Sequence, residues 1–224
     1  MIKRVVVSLI ALAVATATTV TVVEQSEAQA IPATAVVYTV GDSITAGAAL
    51  MFPWQSWPER AANRIFGPDH SRMKVVAHGG QCLVATICTG QPLVTTWAGE
   101  VLNASPKPTT ALVLMGRNDL AHASVTQMIN ALKQLRSTGT AAGVRVIVGT
   151  VLPAEPGYVW WDWTEPDRRA LNIKIRAEFG ADVFDGAASI GDSLYGWYGS
   201  GDGVHPAWPA HVVIGDAVPL GRIA

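Results

Sequence analysis

The chain has 224 residues, of which 50% are hydrophobic and 15% are charged. Its 16 Lys and Arg residues nearly balance its 17 Asp and Glu residues, so no basic field indicates a nucleic-acid partner and no acidic block indicates a solvating tail. This composition excludes a disordered chain and predicts one globular domain with a sizeable core.

The N-terminus has the pattern of a secretory signal peptide. Two basic residues precede an apolar run over 5–23, and a polar stretch then leads to an Ala-x-Ala element that ends at residue 30. We therefore predict that residues 1–30 are removed on export and that 31–224 form a single secreted domain. An uncleaved membrane anchor is the alternative because the run is long, although its threonines disfavour a spanning helix. A stable membrane partner is expected only in that case.

Along 31–224, short β-rich runs alternate with helical stretches. This alternation implies a parallel sheet covered on each side, so the predicted fold is an α/β protein with three α/β/α layers. The predicted strands are 35–40, 74–77, 111–115, 144–148 and 182–184, and the predicted helices are 55–65, 93–102, 124–136 and 164–179, with a last helix after residue 206.

Capping signals define two of these helices. Ser124 and Gln127 form a capping box that opens the third helix, and Gly139 is the glycine expected to end it. Thr164 and Asp167 are the expected caps of the fourth helix, with Pro166 in its first turn.

Cys82 and Cys88 are the only cysteines. In an oxidising compartment two such thiols are expected to pair, so we predict a disulfide that rigidifies a short loop. Two separate buried thiols are the alternative. Neither interpretation predicts a metal site, because no cluster of Cys or His accompanies the pair.

Glycine-rich or polar blocks recur along the chain, and three of them directly follow predicted strands. They are GDS at 41–43, GG at 79–80, GRND at 116–119 and, near the C-terminus, DGVHP at 202–206. Each block alone is more typical of a turn or a helix cap than of a site. Ligands nevertheless bind beyond the carboxyl ends of the strands in such a sheet, which is where we expect the blocks to meet.

Together the blocks contain the groups that a serine esterase needs. Ser43 is the predicted nucleophile, His205 the general base and then acid, and Asp202 the carboxylate that fixes the imidazole tautomer. The backbone N–H groups of Ser43 and Gly80 and the side-chain amide of Asn118 are the predicted donors to the oxyanion.

In order and spacing, the blocks at 41–43, 79–80, 116–119 and 202–205 resemble those of the SGNH, or GDSL-type, hydrolases. The resemblance covers essentially all of 31–224. It implies a flavodoxin-like sandwich and a serine esterase that uses no metal or other cofactor. It also implies the catalytic and oxyanion-binding roles given above. The residues concerned are Ser43, Gly80, Asn118, Asp202 and His205.

Two positions need comment against that family. The glycine block reads HGGQC at 78–82, whereas the family more often has an asparagine upstream and a threonine or serine soon after, so Gly79 is the alternative to Gly80. Arg117 occupies the variable position of the third block, where a cation could form a salt bridge or lean over the pocket. We favour the structural role for Arg117.

Aromatic residues crowd two predicted loops on the side of the expected site. Exposed rings stack on sugars or wall an acyl groove, and the alternative is a small tryptophan cluster that pins the loops together. Asp42 and Gly79, which adjoin predicted catalytic residues, are further candidates to line the substrate. The first loop contains Tyr158, Trp160, Trp161 and Trp163, and the second contains Trp197 and Tyr198.

These features favour a secreted, monomeric serine esterase whose partner is a small-molecule or polysaccharide ester, with a leaning to O-acetyl carbohydrates. A lipase or broad acyl esterase, a lysophospholipase and a thioesterase are alternatives with the same chemistry. A secreted binding domain without catalysis is the alternative from another class. His70, His122 and His211 are expected in surface or helix-packing roles, whereas His78 could line the cleft.

Overall fold

The computed structural model describes residues 30–158, 161–191, 194 and 196–224, and for residues 161 and 162 it describes the backbone alone. The predicted signal peptide lies outside the described residues, apart from Ala30. Among the helices that are described, none combines the length and the apolar character needed to cross a bilayer.

The centre of the domain is a parallel sheet of five strands in the order β2-β1-β3-β4-β5. Every predicted strand is confirmed to within about two residues at its ends, and the order is that of a flavodoxin-like sheet. The strands are β1 (Val37–Gly41), β2 (Met73–Ala77), β3 (Thr110–Leu114), β4 (Arg145–Gly149) and β5 (Val183–Phe184).

Helices cover both faces of the sheet, which confirms the three-layer α/β/α architecture. Helices α2, α3 and α4 pack on one face, and α1 and α6 pack on the other, with the short α5 beside α6. The helices are α1 (Trp57–Phe66), α2 (Leu93–Trp97, continued by a π-helical turn over Ala98–Leu102), α3 (Val125–Ala141), α4 (Trp161–Phe179), α5 (Gly186–Ser189) and α6 (Trp208–Asp216). Short 3₁₀ turns occupy Pro53–Gln55, His70–Arg72, Gly180–Asp182, Gly196–Tyr198 and Leu220–Arg222.

The central strands are buried on both faces because the pleat directs alternate side chains into two separate cores. In β3, Val113 lies in the core beneath α2–α4, whereas Leu112 and Leu114 lie in the core beneath α1 and α6. This double burial explains why the strands read as continuous apolar runs in the sequence.

Two predicted helix ends are wrong. Helix α3 continues through Gly139, because this glycine serves close packing: a Cβ there would lie 2.7 Å from Val146 Cγ2. The chain leaves α3 at Gly143, whose φ is +76°. Helix α4 begins ahead of the predicted cap Thr164 and contains Pro166, which near an N-terminus removes only one backbone hydrogen bond.

Candidate active site

The chain turns sharply where β1 ends, and this turn carries Ser43. The N–H of Ala48 donates to the Ser43 carbonyl at 2.9 Å. A Cβ on Gly41 would lie 1.9 Å from Thr45 Oγ1 and 2.7 Å from the Leu114 carbonyl oxygen, so only glycine allows the turn to pack against β3. The strand therefore presents Ser43 at the carboxyl edge of the sheet.

A continuous chain of hydrogen bonds joins Ser43, His205 and Asp202. Ser43 Oγ lies 2.9 Å from His205 Nε2, and His205 Nδ1 lies 2.6 Å from Asp202 Oδ2. The serine and the histidine are 162 positions apart in the sequence, so only the fold brings them together. A carboxylate on Nδ1 leaves Nε2 free to accept the serine proton.

The loop that carries His205 is organised by Asp202. The second carboxylate oxygen accepts the backbone N–H groups of Val204 and His205, at 2.9 and 2.8 Å. Partial burial raises the pKa of Asp202, but these two N–H donors and the imidazole outweigh that effect and lower it to about 2. Asp202 is therefore ionised at neutral pH.

A segment after β4 holds the same loop from the other side. The N–H of Glu155 donates to the Gly203 carbonyl at 2.9 Å, and Glu155 Oε1 accepts the N–H of Gly201 at 3.3 Å. The Tyr158 ring lies so close to Gly203 that a Cβ there would be 2.0 Å from it. Sequence reasoning missed Glu155, because nothing local in the sequence indicates which loop it contacts.

The strand order brings Gly80 and Asn118 to the two sides of Ser43. Strands β2 and β3 flank β1, so the loops that follow them meet at its carboxyl end. Asn118 Nδ2 donates to the Gln81 carbonyl at 2.8 Å and to Asp42 Oδ2 at 3.4 Å. No hydrogen bond within the described part of the chain uses the N–H of Ser43 or Gly80, so both can serve a ligand.

Asp42 precedes the predicted nucleophile Ser43 and is only 2% exposed. Burial raises its pKa to about 6, although the N–H of Ile44, which donates to Oδ1 at 2.9 Å, works in the opposite direction. Through its other oxygen, Asp42 restrains the amide of Asn118.

Asp119 is the site residue that sequence reasoning missed most clearly. It is fully buried, and its carboxylate accepts the consecutive N–H groups of Leu83, Val84 and Ala85 at 2.7, 2.9 and 3.0 Å. The only signal in the sequence is its place at the end of the third block. Asp119 thus fixes the loop that follows Gly80.

That loop is closed by a disulfide between Cys82 and Cys88, as predicted, and it forms one wall of a cleft of about 330 Å³. The cleft includes Gly80, Asn118 and Val204, which places it beside the Ser43–His205 pair. Its other lining residues are Ile87, Cys88, Thr89, Arg117, Leu120, Ala121, His122 and Thr164. Among the described residues, no three His, Cys, Asp or Glu side chains come together as metal ligands.

Comparison with known proteins agrees with this geometry. Residues 39–212 match the model of the GDSL-like Lipase/Acylhydrolase family. The chain belongs to this family. It is therefore an ester-hydrolysing enzyme with the SGNH hydrolase fold.

Several solved structures resemble this GDSL-type hydrolase. Because their sequence identity to it is low, the comparison concerns the fold alone. A mutant of an acetyl-xylooligosaccharide esterase from Geobacillus has a TM-score of 0.62 and 16% identity, with 84% of this chain and 94% of that chain covered. A GDSL-like lipase from Bacteroides thetaiotaomicron VPI-5482 has a TM-score of 0.61 and 18% identity, with 81% and 84% covered. A lipolytic G-D-S-L protein from Veillonella parvula DSM 2008 has a TM-score of 0.61 and 17% identity, with 81% and 94% covered. No curated protein matches the chain.

The predicted substrate-lining residues of this hydrolase are dispersed. As far as the structure describes the cleft, its lining does not include Gly79, Trp163 or Trp197, although both tryptophans are exposed. Trp163 lies in α4 and not in a loop. Trp160 and the side chain of Trp161 lie outside the described residues.

A different aromatic cluster, which was not predicted, connects the segments that follow Ser43 and His205 in the chain. Phe52 and Trp54 follow the Ser43 turn and stack at 5.9 Å between ring centroids, and Trp208, three residues after His205, meets Trp54 edge-on at 5.7 Å. All three rings are exposed by about half. The cluster therefore joins the two segments that carry Ser43 and His205.

The other histidines described here have structural contacts. His211 is buried between α1 and α6, where its Nδ1 accepts the N–H of Trp57 at 3.1 Å and burial lowers its pKa to about 4. His78 pairs with Glu100 at 3.0 Å on the surface. The expected helix-packing role is thus confirmed for His211.

Proposed function

We propose that the protein is a secreted serine esterase in which Ser43, His205 and Asp202 act as a catalytic triad. The observation that carries this proposal is the unbroken hydrogen-bonded chain from Ser43 Oγ to the Asp202 carboxylate. Export rests on the sequence pattern of residues 1–30.

In this mechanism, His205 Nε2 takes the proton of Ser43 as Oγ attacks the ester carbonyl. The resulting oxyanion accepts hydrogen bonds from the N–H groups of Ser43 and Gly80 and from Asn118 Nδ2, which exchanges its long 3.4 Å bond to Asp42 for one to the oxyanion. His205 then gives the proton to the departing alcohol, which leaves an acyl group on Ser43. Water deprotonated by His205 attacks the acyl group, and Ser43 regains its proton as the carboxylic acid leaves.

The proposed substrates are short-acyl esters of carbohydrates, with O-acetyl groups foremost. The cleft of about 330 Å³ is at the small end of ligand pockets, which favours a short acyl group. The exposed Phe52, Trp54 and Trp208 rings, on segments that follow Ser43 and His205 in the chain, offer apolar faces that suit stacking on sugars. The acetyl-xylooligosaccharide esterase that shares the fold acts on such esters.

The test is hydrolysis of 4-nitrophenyl acetate, butyrate and octanoate by residues 31–224, with Ser43→Ala as the control and with a chelator present. We expect turnover that is insensitive to the chelator, is lost in the variant and is fastest with acetate. A preference for octanoate would favour the lipase or broad acyl esterase instead. Equal activity of the two proteins would refute the triad.

Secretion is tested separately by N-terminal sequencing of protein recovered from the medium of cells that express the full chain. A first residue of Ile31 is expected. Recovery of the intact N-terminus in the membrane fraction would instead support the anchor.

A further inference from the structure

Arg117 is a buried cation in the wall of the active-site cleft. It precedes Asn118, the proposed oxyanion donor, and only 8% of the residue is exposed. The sequence favoured a structural salt bridge for this arginine, and the structure contradicts that expectation.

The guanidinium of Arg117 has no protein partner in the described part of the chain. It forms no ion pair and donates no hydrogen bond there, and its Nη1 is enclosed without an acceptor. An arginine has five N–H donors, and burying such a charge unpaired is costly. We therefore expect an anion from outside the chain to bind this guanidinium.

The two carboxylates whose charges act on Arg117 are hydrogen-bonded to other groups. Glu165 accepts two hydrogen bonds from Arg168 and one from Arg169, all at 2.6 Å. Asp42 accepts from the N–H of Ile44 and from Asn118. Both carboxylates act on Arg117 only through space.

Beside Asp42, Arg117 has no room for a counter-anion. Arg117 and Asp42 line a cavity there of only about 10 Å³, which is enough for one water at most. A water can accept a hydrogen bond but cannot neutralise the charge. Of these two cavities, the cleft is the one with room for an anion at Arg117.

We propose that Arg117 binds a carboxylate carried by the ester substrate, which makes it a specificity residue of the esterase proposed above. This inference rests on the proposed function and narrows its substrates to esters that also bear an acidic group. A guanidinium fork matches a planar carboxylate with two parallel hydrogen bonds. The carboxylate can belong to the alcohol part, as in an acetylated uronic acid, or to the acyl part, as in a dicarboxylic acid monoester.

The state of the guanidinium agrees with this role. Burial and the nearby Arg168 lower the pKa of Arg117 to about 10, against the opposing effect of Glu165 and Asp42. The side chain therefore remains a cation at neutral pH.

The test compares substrates that differ in one carboxylate. Mono-O-acetyl glucuronic acid is compared with mono-O-acetyl glucose, and monoethyl succinate with ethyl butyrate, by titration of the released acid. We expect the wild-type kcat/KM to favour the acidic member of one pair by roughly tenfold to a hundredfold. The pair that shows the preference identifies the side of the ester bond that carries the carboxylate.

Arg117→Gln removes the charge and keeps much of the volume. We expect it to abolish the preference, so that the acidic ester loses about tenfold to a hundredfold more in kcat/KM than the neutral ester of the same pair. Its Tm should equal or exceed that of the wild type, because an unpaired buried charge has been removed. Added succinate should raise the Tm of the wild type but not of the variant.

Absence of any preference in the wild type would overturn the inference, even if every Arg117 variant failed to fold. An equal loss on acidic and neutral esters, together with a lower Tm, would also overturn it by showing a structural role. In both cases Ser43-dependent hydrolysis of the neutral esters would leave the proposed function standing. If instead the proposed function is wrong, hydrolysis of the neutral esters will persist in the Ser43→Ala variant.

Discussion

Replacing Asp119 by alanine removes a single carboxylate and frees three consecutive backbone N–H groups. The structure has this side chain fully buried, with the N–H groups of Leu83, Val84 and Ala85 directed at it. These three bonds fix the disulfide loop to the strand edge that carries Asn118. We expect the substitution to lower both stability and activity.

The magnitude follows from the hydrogen bonds that are lost. Each bond to a charged acceptor contributes about 1.5–3 kcal/mol, but the three share one carboxylate and water can enter the vacated space, so they do not add fully. We expect the free energy of unfolding to fall by about 4 kcal/mol, which for a domain of this size lowers the Tm by about 8–16 °C. Asp119→Asn keeps one acceptor oxygen and should cost about half as much.

Thermal unfolding and kcat/KM on 4-nitrophenyl acetate are measured on both Asp119 variants, with the exposed Asp167→Asn as the control. The control should stay within about 0.5 kcal/mol of the wild type. Well below the Tm, Asp119→Ala should lose at least about tenfold in kcat/KM, because the loop after Gly80 loosens. A Tm within about 3 °C of the wild type would refute the reasoning.

Three further outcomes test the site. Asp202→Asn should lower kcat by about 10²–10⁴-fold, because the amide no longer fixes the imidazole tautomer, and steady-state kinetics well below the Tm measures this. Gly80→Ala should lower kcat by at least about tenfold, because φ is +74° and the new Cβ would lie 2.8 Å from Thr89 Oγ1. The control Gly79→Ala has open space and should be silent; equal effects at the two glycines would contradict the assignment. Asp42, with its pKa raised to about 6, stabilises the fold fully below about pH 4 and loses this contribution as pH rises through 6. Relative to Asp42→Asn, the wild type should therefore lose up to about 3 kcal/mol between pH 4 and 7 in urea unfolding, and a constant difference would rule this out.

The strands and the positions of Ser43 and Asn118 could be predicted because both depend on local patterns. An apolar run followed by Gly-Asp-Ser indicates a buried strand and a turn, whatever the rest of the chain does. The strand order then places those turns side by side. Helix ends were less predictable, as Gly139 shows, since the same residue type serves close packing and termination.

The supporting contacts could not be predicted because they join distant segments. Asp119 meets the N–H of Leu83 from 36 positions away, and Glu155 meets Gly201 from 46 positions away. The lack of a partner for Arg117 depends on every side chain around it. Such relations follow from the packed structure and leave no period or motif in the sequence.

The strand order also divides the work of the enzyme between separate regions of the chain. The proposed nucleophile and oxyanion donors follow β1, β2 and β3, whereas the loop that carries His205 is held by a segment after β4. The exposed rings of Phe52, Trp54 and Trp208 lie outside both groups of contacts. Substitutions of these rings can therefore alter the proposed sugar-stacking surface while the hydrogen bonds of the proposed catalytic groups stay in place.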